Sequence, residues 1–356
     1  MSQVKEPVTF EGAVCPVPVH PGDTIVLGHG SGGRLMRGLI EGLFLPELDN
    51  PVLRAGNDAG RVTPHPEAPL AISTDSHVVW PLFFPGGDIG RLAVCGTVND
   101  VAMLGAEPLY LTASFILEEG LDTGVLHRVV QSMKRAAVEA GVEIIAGDTK
   151  VVEKGKADGL YITTTGVGRI YPGVNIGGHR AQPGDVMLLS GPIGDHGIAV
   201  LGARGELGFE AKLESDVAPL NHLVRAMLEA SPGVHVLRDP TRGGLSSALN
   251  EIASQSRVGM MLDEQAIAVR EGVKGACELL GLDPLYVANE GKLIAIVAPE
   301  AAEKILTAMR AHALGQGAAI IGTVRESNPG LVTMRTVLGT TRIVDMLAGD
   351  QLPRIC

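Results

Sequence analysis

The sequence predicts an α/β (α+β) protein built from two mixed domains. Three observations carry this expectation. The chain has 356 residues and is 45% hydrophobic, enough for two separate cores. Apolar runs of strand length alternate with segments of helical period in both halves. Between the halves lies YPGVNIGGHRAQPGD (171–185), dense in Gly and Pro, which marks a boundary. The expected division is a lead-in at 1–20, domains at 21–172 and 173–345, and a tail at 346–356.

DTIVLG (23–28) reads as a strand, and 31–48 has helical spacing with Leu35, Leu39 and Leu43 on one face. GNDAGRVTPHPEAP (56–69) is turn-rich. LAISTDSHVV (70–79) is a strand, and 88–105 a helix opened by an Asp cap. A strand (109–117), a helix (121–141) and strands at 142–148 and 160–170 complete the first half. The second half begins with the strand at 186–191. Helices follow near 195–203 and 216–230, a strand at 234–239, the helix 243–256, a short strand and a helix near 269–280. Strands at 285–298, a helix at 300–313, and strands at 318–324, 331–337 and 340–345 finish it.

Composition excludes several functions. The net charge is −11 with no Lys/Arg cluster, which argues against a nucleic-acid partner. No apolar run approaches the length of a membrane span, and the first residues carry no apolar leader, so a cytoplasmic protein is expected. The four cysteines, Cys15, Cys95, Cys277 and Cys356, are far apart, which disfavours a disulfide framework or a zinc site. Cys356, the last residue of PRIC, is therefore expected as a free thiol.

GHGSGG (28–33) satisfies G-x-G-x-x-G between a strand and a helix. The acid that a dinucleotide site requires is missing, since Asp49 sits in a turn, and Arg34 and Leu35 stand where a P-loop needs Lys and Ser/Thr. A mobile Gly-rich segment that approaches a polyphosphate fits better, with a tight turn into a helix as the alternative. Strands also end repeatedly in an Asp among small residues: Asp75, Asp148 and Asp239. Asp58 lies in GNDAG, and Asn99 and Asp100 interrupt an apolar helix. Each acid alone suits a cap or turn. As a set without matching Lys or Arg, they suggest a hard cation, Mg²⁺, bridging substrate phosphates. In DPTRGGL (239–245), Gly243 and Gly244 open a helix whose N–H groups suit an anion, and Arg242 adds a charged fork.

GSGG, NDAG, STDSHVVWPLFFPGGDIG, VCGTVNDVAMLGAEPLYL, AGDTKVV, DPTRGGL, ANEGKL and the terminal PRIC run in order from about residue 20 to the end. Together they resemble the HypE family of nickel–iron hydrogenase maturation. That family is the carbamoyl dehydratase branch of the ATP-dependent superfamily of aminoimidazole ribonucleotide synthetase and selenophosphate synthetase. The resemblance implies two domains of that fold, with N-terminal domains pairing in a homodimer whose sheets close a β-barrel. It implies that a carbamoyltransferase, HypF, loads Cys356. ATP with Mg²⁺ then drives dehydration to a thiocyanate, and the cyanide passes to iron on a HypC–HypD scaffold. Asp58, Asp75, Asp100, Asp148 and Asp239 are the implied metal and ATP ligands, with Asn99, Thr149, Arg242, Gly243, Gly32 and Gly33 beside the nucleotide. Lys150 and Glu290 are implied near the modified cysteine, against the plainer readings of a solvated loop lysine and a hairpin-turn acid. Selenophosphate synthetase would want a thiol in the N-terminal Gly-rich loop, and none stands there. Thiamine-phosphate kinase or aminoimidazole ribonucleotide synthetase would have no use for a terminal thiol. A non-catalytic thiol carrier is the alternative of a different class.

Overall fold

The computed structural model describes residues 33–39, 41, 54–57, 60–62, 69–205, 213–349, 352 and 354–356. Short helix α1 (Arg34–Leu39) precedes strand β1 (Gly60–Val62). The first half continues with β2 (Leu70–His77), a small hairpin of β3 (Phe83–Phe84) and β4 (Gly87–Asp88), and helix α2 (Ile89–Met103). It closes with β5 (Ala106–Glu118), α3 (Thr123–Ala140), β6 (Glu143–Val152) and β7 (Leu160–Ile170). These strands form a five-stranded sheet in the order β1-β2-β7-β5-β6, antiparallel except for the parallel β5–β6 pair.

Helices α2 and α3 both start where the sequence supplies a cap. Asp88 accepts from the N–H groups of Gly90 and Arg91, and Asp122 from those of Gly124 and Val125. The cap matters for α2 because that helix is apolar almost all round and is buried almost all round. Leu92, Ala93 and Val98 pack on the inner face of the sheet against Leu111, Ala113 and Ile162. Thr164 ties the layers together, donating to the Ala93 carbonyl at 2.8 Å. The opposite face of the sheet, with Ile72, Tyr110 and Ile116, is uncovered in this chain, and β6 is exposed along nearly its whole length.

The second half is a seven-stranded mixed sheet. Its strands are β8 (Val186–Leu189), β9 (Val234–Arg238), β10 (Gly259–Asp263), β11 (Ile294–Val297), β12 (Ala319–Arg325), β13 (Val332–Arg335) and β14 (Thr341–Ile343). Their order is β14-β13-β10-β12-β8-β11-β9. The helices are α4 (Asp195–Ala203), α5 (Asn221–Ala230), α6 (Gly244–Ser256), α7 (Glu271–Leu280) and α8 (Ala302–Ala311). Strands β8 and β11 are apolar throughout because both faces are covered. Met187, Ile294 and Ile296 meet α6 through Leu245 and Leu249. Leu188, Ala295 and Val297 meet α5 and α8 through Met227 and Ile305.

Several sequence expectations change. The β3–β4 hairpin falls largely in a segment assigned no element from sequence, and β1 in one read as turn-rich. The run 285–298 is a 3₁₀ turn (Pro284–Tyr286), an irregular stretch and then β11, so Glu290 lies in no hairpin. Helix α5 starts at Asn221, because the residues before it cross irregularly between the halves. Asn99, expected beside a nucleotide, joins the halves instead. Its amide donates to the Ala218 carbonyl at 3.1 Å and accepts from Leu220 N–H at 2.7 Å.

Candidate active site

The last residues of the chain return to the junction of the two halves. The main-chain oxygen of Cys356 accepts from Val78 N–H at 3.0 Å, just past the end of β2. Ile355 is buried in the first-half core, with Leu352 and Cys356 packed against it. The arm is not extended throughout. Arg354 adopts a left-handed φ of 54° and turns the chain, while Pro353 itself lies outside the described residues. Arg354 pairs with Asp158 and donates to the Val78 carbonyl, so its charge faces the rim rather than the cleft.

This docking brings Cys356 to the wall of a cavity of about 630 Å³. Asp75, from β2, and Asp100, from α2, line it together with Asp239, Arg242 and Glu290. Residues on alternate positions of β2 share a face, so Ser73, Asp75 and His77 all point towards α2. Ser73 donates to Asp100 at 2.6 Å, and His77 Nε2 lies 3.3 Å from the Asp75 carboxylate. The close approach depends on Gly96 of α2, where a Cβ would lie 3.0 Å from His77 Nε2. Gly33 also lines the cavity, and a Cβ there would lie 2.1 Å from the Leu347 carbonyl oxygen, where the tail begins.

The electrostatics differ sharply from one acid to the next. Burial pushes the Asp75 carboxyl up, but the His77 ring, Arg242 and the Ser76 N–H outweigh this and hold it at about 2. Glu290 is raised well above the usual carboxylate range, first by burial and then by Asp239, Asp75 and Asp216, against the pull of Arg242. The Cys356 thiol is pushed up to about 12, chiefly by burial, with Arg242 lowering it and Glu290 and Asp75 raising it. Arg242 is correspondingly raised, with the cysteine and then Asp75, Glu290 and Asp100 favouring its charge against the cost of burial. The site thus joins one carboxyl held low, one carboxyl raised by its surroundings and one fixed cation around a sulfur atom.

Glu290 owes its position to a buried ion pair. Asp216 accepts from the Glu290 N–H at 3.0 Å through one oxygen and from Lys292 Nζ at 2.9 Å through the other. Removing the cation leaves a buried carboxylate uncompensated. Lys292→Met is therefore expected to lower stability by about 3–5 kcal/mol, read from urea denaturation. A loss of under about 1 kcal/mol would show that the pair does not hold this loop. A second cavity, of about 870 Å³, opens on the far side of this pair beside Asp195 and Arg270, and contains none of the residues singled out from sequence.

The sequence-predicted residues divide into three groups. Asp75, Asp100, Asp239, Arg242, Glu290, Gly33 and Cys356 meet at the cavity. Asp58 and Gly32 lie outside the described residues. Asp148, Thr149 and Lys150 do not reach the cavity in this chain. They stand on the exposed edge strand β6, where Lys150 pairs with Asp148 at 2.8 Å. Three strand spacings, roughly 14 Å, separate β6 from β2. Gly243 caps α6 and stays off the cavity wall. Among the described residues, no three His, Cys, Asp or Glu side chains are grouped closely enough to hold a metal on their own. Sequence reasoning missed His77, although its two-residue spacing from Asp75 was visible, and missed Arg238 and Thr241, which flank Asp239 on the cavity wall.

Residues 56–170 match the N-terminal domain of the AIR synthase related protein family, and residues 182–334 match its C-terminal domain. Carbamoyl dehydratase HypE of Cupriavidus necator is 58% identical over 332 residues, 93% of this chain and 95% of that protein. Carbamoyl dehydratase HypE of Escherichia coli is 46% identical over 94% of this chain and its full length. Two solved structures also match. One is a HypE–HypF complex, with TM-score 0.83, 51% identity and coverage of 87% of this chain and 99% of that one. The other is HypE in complex with ATP, with TM-score 0.79, 53% identity and coverage of 94% and 100%. A thiamine monophosphate kinase structure, 20% identical with TM-score 0.61, shares the fold alone. Among the described residues no helix is long and apolar enough to cross a membrane. The chain belongs to the HypE family of carbamoyl dehydratases.

Proposed function

We propose that this enzyme dehydrates a carbamoyl group carried on Sγ of Cys356, so that S–C(=O)–NH₂ becomes S–C≡N. ATP supplies the phosphoryl group that turns the amide oxygen into a leaving group, and ADP and phosphate are the by-products. The observation that carries the reading is the docked tail, which holds Sγ against a cavity containing Arg242 and Glu290. Arg242 balances negative charge beside the sulfur. Glu290, whose carboxyl is raised by burial and by Asp239, Asp75 and Asp216, is the proposed base: in its ionised form it takes one proton from the carbamoyl nitrogen, and the second N–H proton leaves with the departing phosphate. Tethering makes the step intramolecular. The HypE names of the relatives and the ATP-bound relative support this reading.

Asp75, Asp100 and Asp239 are the described acids proposed to hold Mg²⁺ with the nucleotide, with Asp58 completing the set. Mg²⁺ retains waters and takes one or two carboxylates beside substrate phosphates, which suits dispersed acids better than a protein-only cage would. HypF is the proposed loading partner, supported by the HypE–HypF complex of a relative. A HypC–HypD scaffold is the proposed acceptor of cyanide for the nickel–iron site, in the cytoplasm. The proposed domains are 21–172 and 173–345 with a tail at 346–356. The test is the mass of the C-terminal peptide after loading by a carbamoylating partner and addition of ATP. Loss of one water from the carbamoylated peptide is expected; ATP hydrolysis with the carbamoyl mass unchanged would overturn the reading.

A second copy of the chain belongs to the proposal. The uncovered sheet face and the exposed β6 edge, with Ile145 and Val151 more than half exposed, are surfaces that sheet proteins cover. Pairing there lets Asp148, Thr149 and Lys150 of the partner subunit complete a cavity that the same chain's β6 cannot reach. Ile145→Asp combined with Val151→Lys is expected to give a folded monomer in sedimentation and to lose dehydration. A monomer with full activity would refute the shared site.

A further inference from the structure

Beyond the reaction itself, the backbone of the arm is gripped in a way the chemistry does not require. All three of its last main-chain oxygens are held. The Arg354 carbonyl accepts from Arg204 Nη2 at 2.6 Å and from Trp80 N–H at 3.3 Å. The Ile355 carbonyl accepts from His196 Nε2 at 2.8 Å, and the main-chain oxygen of Cys356 from Val78 N–H. His196 and Arg204 sit at the two ends of one helix, α4, about 12 Å apart along its axis. Neither lines the cavity that holds Cys356.

Both donors are preset. His196 is fully buried, and burial lowers its pKa, favouring the neutral ring. Ser215 Oγ accepts from Val217 N–H and lies 2.8 Å from His196 Nδ1. With the serine proton given to Nδ1, the ring proton is left on Nε2, facing the Ile355 carbonyl. Phe84 stands edge-on to the imidazole, ring centroids 5.5 Å apart, and limits its rotation. Arg204 donates through Nε to the Trp80 carbonyl at 2.8 Å, so one guanidinium binds the arm and the chain beyond β2 together. The left-handed turn at Arg354 is a conformation L-residues disfavour, and it puts that carbonyl within reach of Arg204.

We propose that His196 and Arg204 are positioning residues that latch the C-terminal arm, setting where Sγ of Cys356 stands and how often the arm leaves the cavity. The proposal rests on the reading that Cys356 carries the reacting group, but its first test does not. In the full-length protein, without ATP or partner, iodoacetamide labelling of Cys356 is followed by the mass of the tail peptide. Docking half-buries Cys356 and raises its thiol pKa, so fast labelling reports the released arm. Arg204→Met and His196→Leu are each expected to speed labelling about 10-fold or more, the loss of hydrogen bonds worth about that factor. His196→Gln, whose amide can donate to the Ile355 carbonyl, is expected to fall back towards the wild-type rate. On preloaded protein, Arg204→Met should lower the dehydration rate with the KM for ATP unchanged. If His196→Leu fails to fold, Arg204→Met and His196→Gln decide. Wild-type labelling rates in folded Arg204→Met would overturn the latch. Faster labelling with no dehydration in the wild type would keep the latch and overturn the reaction.

Discussion

Cys356→Ala is expected to bind ATP and to carry neither a carbamoyl nor a cyano group, with no detectable dehydration. On the proposed reaction the loss is complete, because the reacting carbon is carried on this sulfur and no other described cysteine is available. Cys95 and Cys277 are buried in the cores. The position of the sulfur matters as much as its identity. The main-chain oxygen of Cys356 is tied to Val78 N–H, and the residue lines the cavity, so residues added after Cys356 would enter the space proposed for the nucleotide. Displacing reacting atoms by about 1 Å costs on the order of 10²-fold, so a one- or two-residue extension is expected to slow dehydration at least that much. Water loss from an extended, carbamoylated tail at the wild-type rate would show that the terminal position is immaterial. The docked thiol adds a second consequence. Raised to about 12 from the ordinary 9.0, it holds on the order of 10³-fold less thiolate than a free cysteine near neutral pH. On the proposed reaction, loading is therefore expected of the undocked arm and dehydration of the docked one.

What could be read from the sequence followed local physics. β7 spans 160–170 as its alternation indicates, and α2 and α3 begin at the aspartates that cap them. Asp75, Asp100 and Asp239 were visible as acids set in apolar segments. What escaped was tertiary. Asn99 sits in the same motif as Asp100, yet one residue is a 100° turn of the helix, which aims Asn99 at the second half and Asp100 at the cavity. Asp148 looks like Asp75 in sequence, but strand order separates them by three spacings. Glu290 reads as a turn residue, because nothing near it in sequence reveals that Asp216, distant along the chain, pins its backbone inside. The left-handed turn at Arg354 has no local sequence signal; its carbonyl is held by Arg204, which follows α4 and is far away along the chain.

Glu290→Gln is the substitution in which stability and activity are expected to part. As an isostere it keeps the backbone bond to Asp216 and the side-chain volume, and removes only the titrating proton. If Glu290 is the base, the variant accepts a carbamoyl group, binds ATP and stalls before thiocyanate, about 10²–10⁴-fold slower than wild type. Stability should respond differently. The folded-state pKa of Glu290 lies above its ordinary value of 4.5, so the folded protein binds this proton more tightly than the unfolded chain does. The stability this contributes is fully present below about pH 4.5. It is lost as pH rises through the raised value, where Glu290 must either keep its proton against solution or ionise beside Asp239, Asp75 and Asp216. The amide of the variant cannot ionise, so the variant should gain on wild type as pH climbs through that window. Asp75 acts in the opposite sense: held at about 2, its contribution is present above its ordinary value of 3.8 and disappears only as acid is added down to about 2. The two groups therefore separate on one pH series of thermal unfolding, Glu290→Gln removing the slope that begins above pH 4.5 and Asp75→Asn the one below 3.8. A Glu290→Gln protein with wild-type dehydration, or with an unchanged slope above pH 4.5, would mean that the proton on Glu290 is neither tightly held nor used.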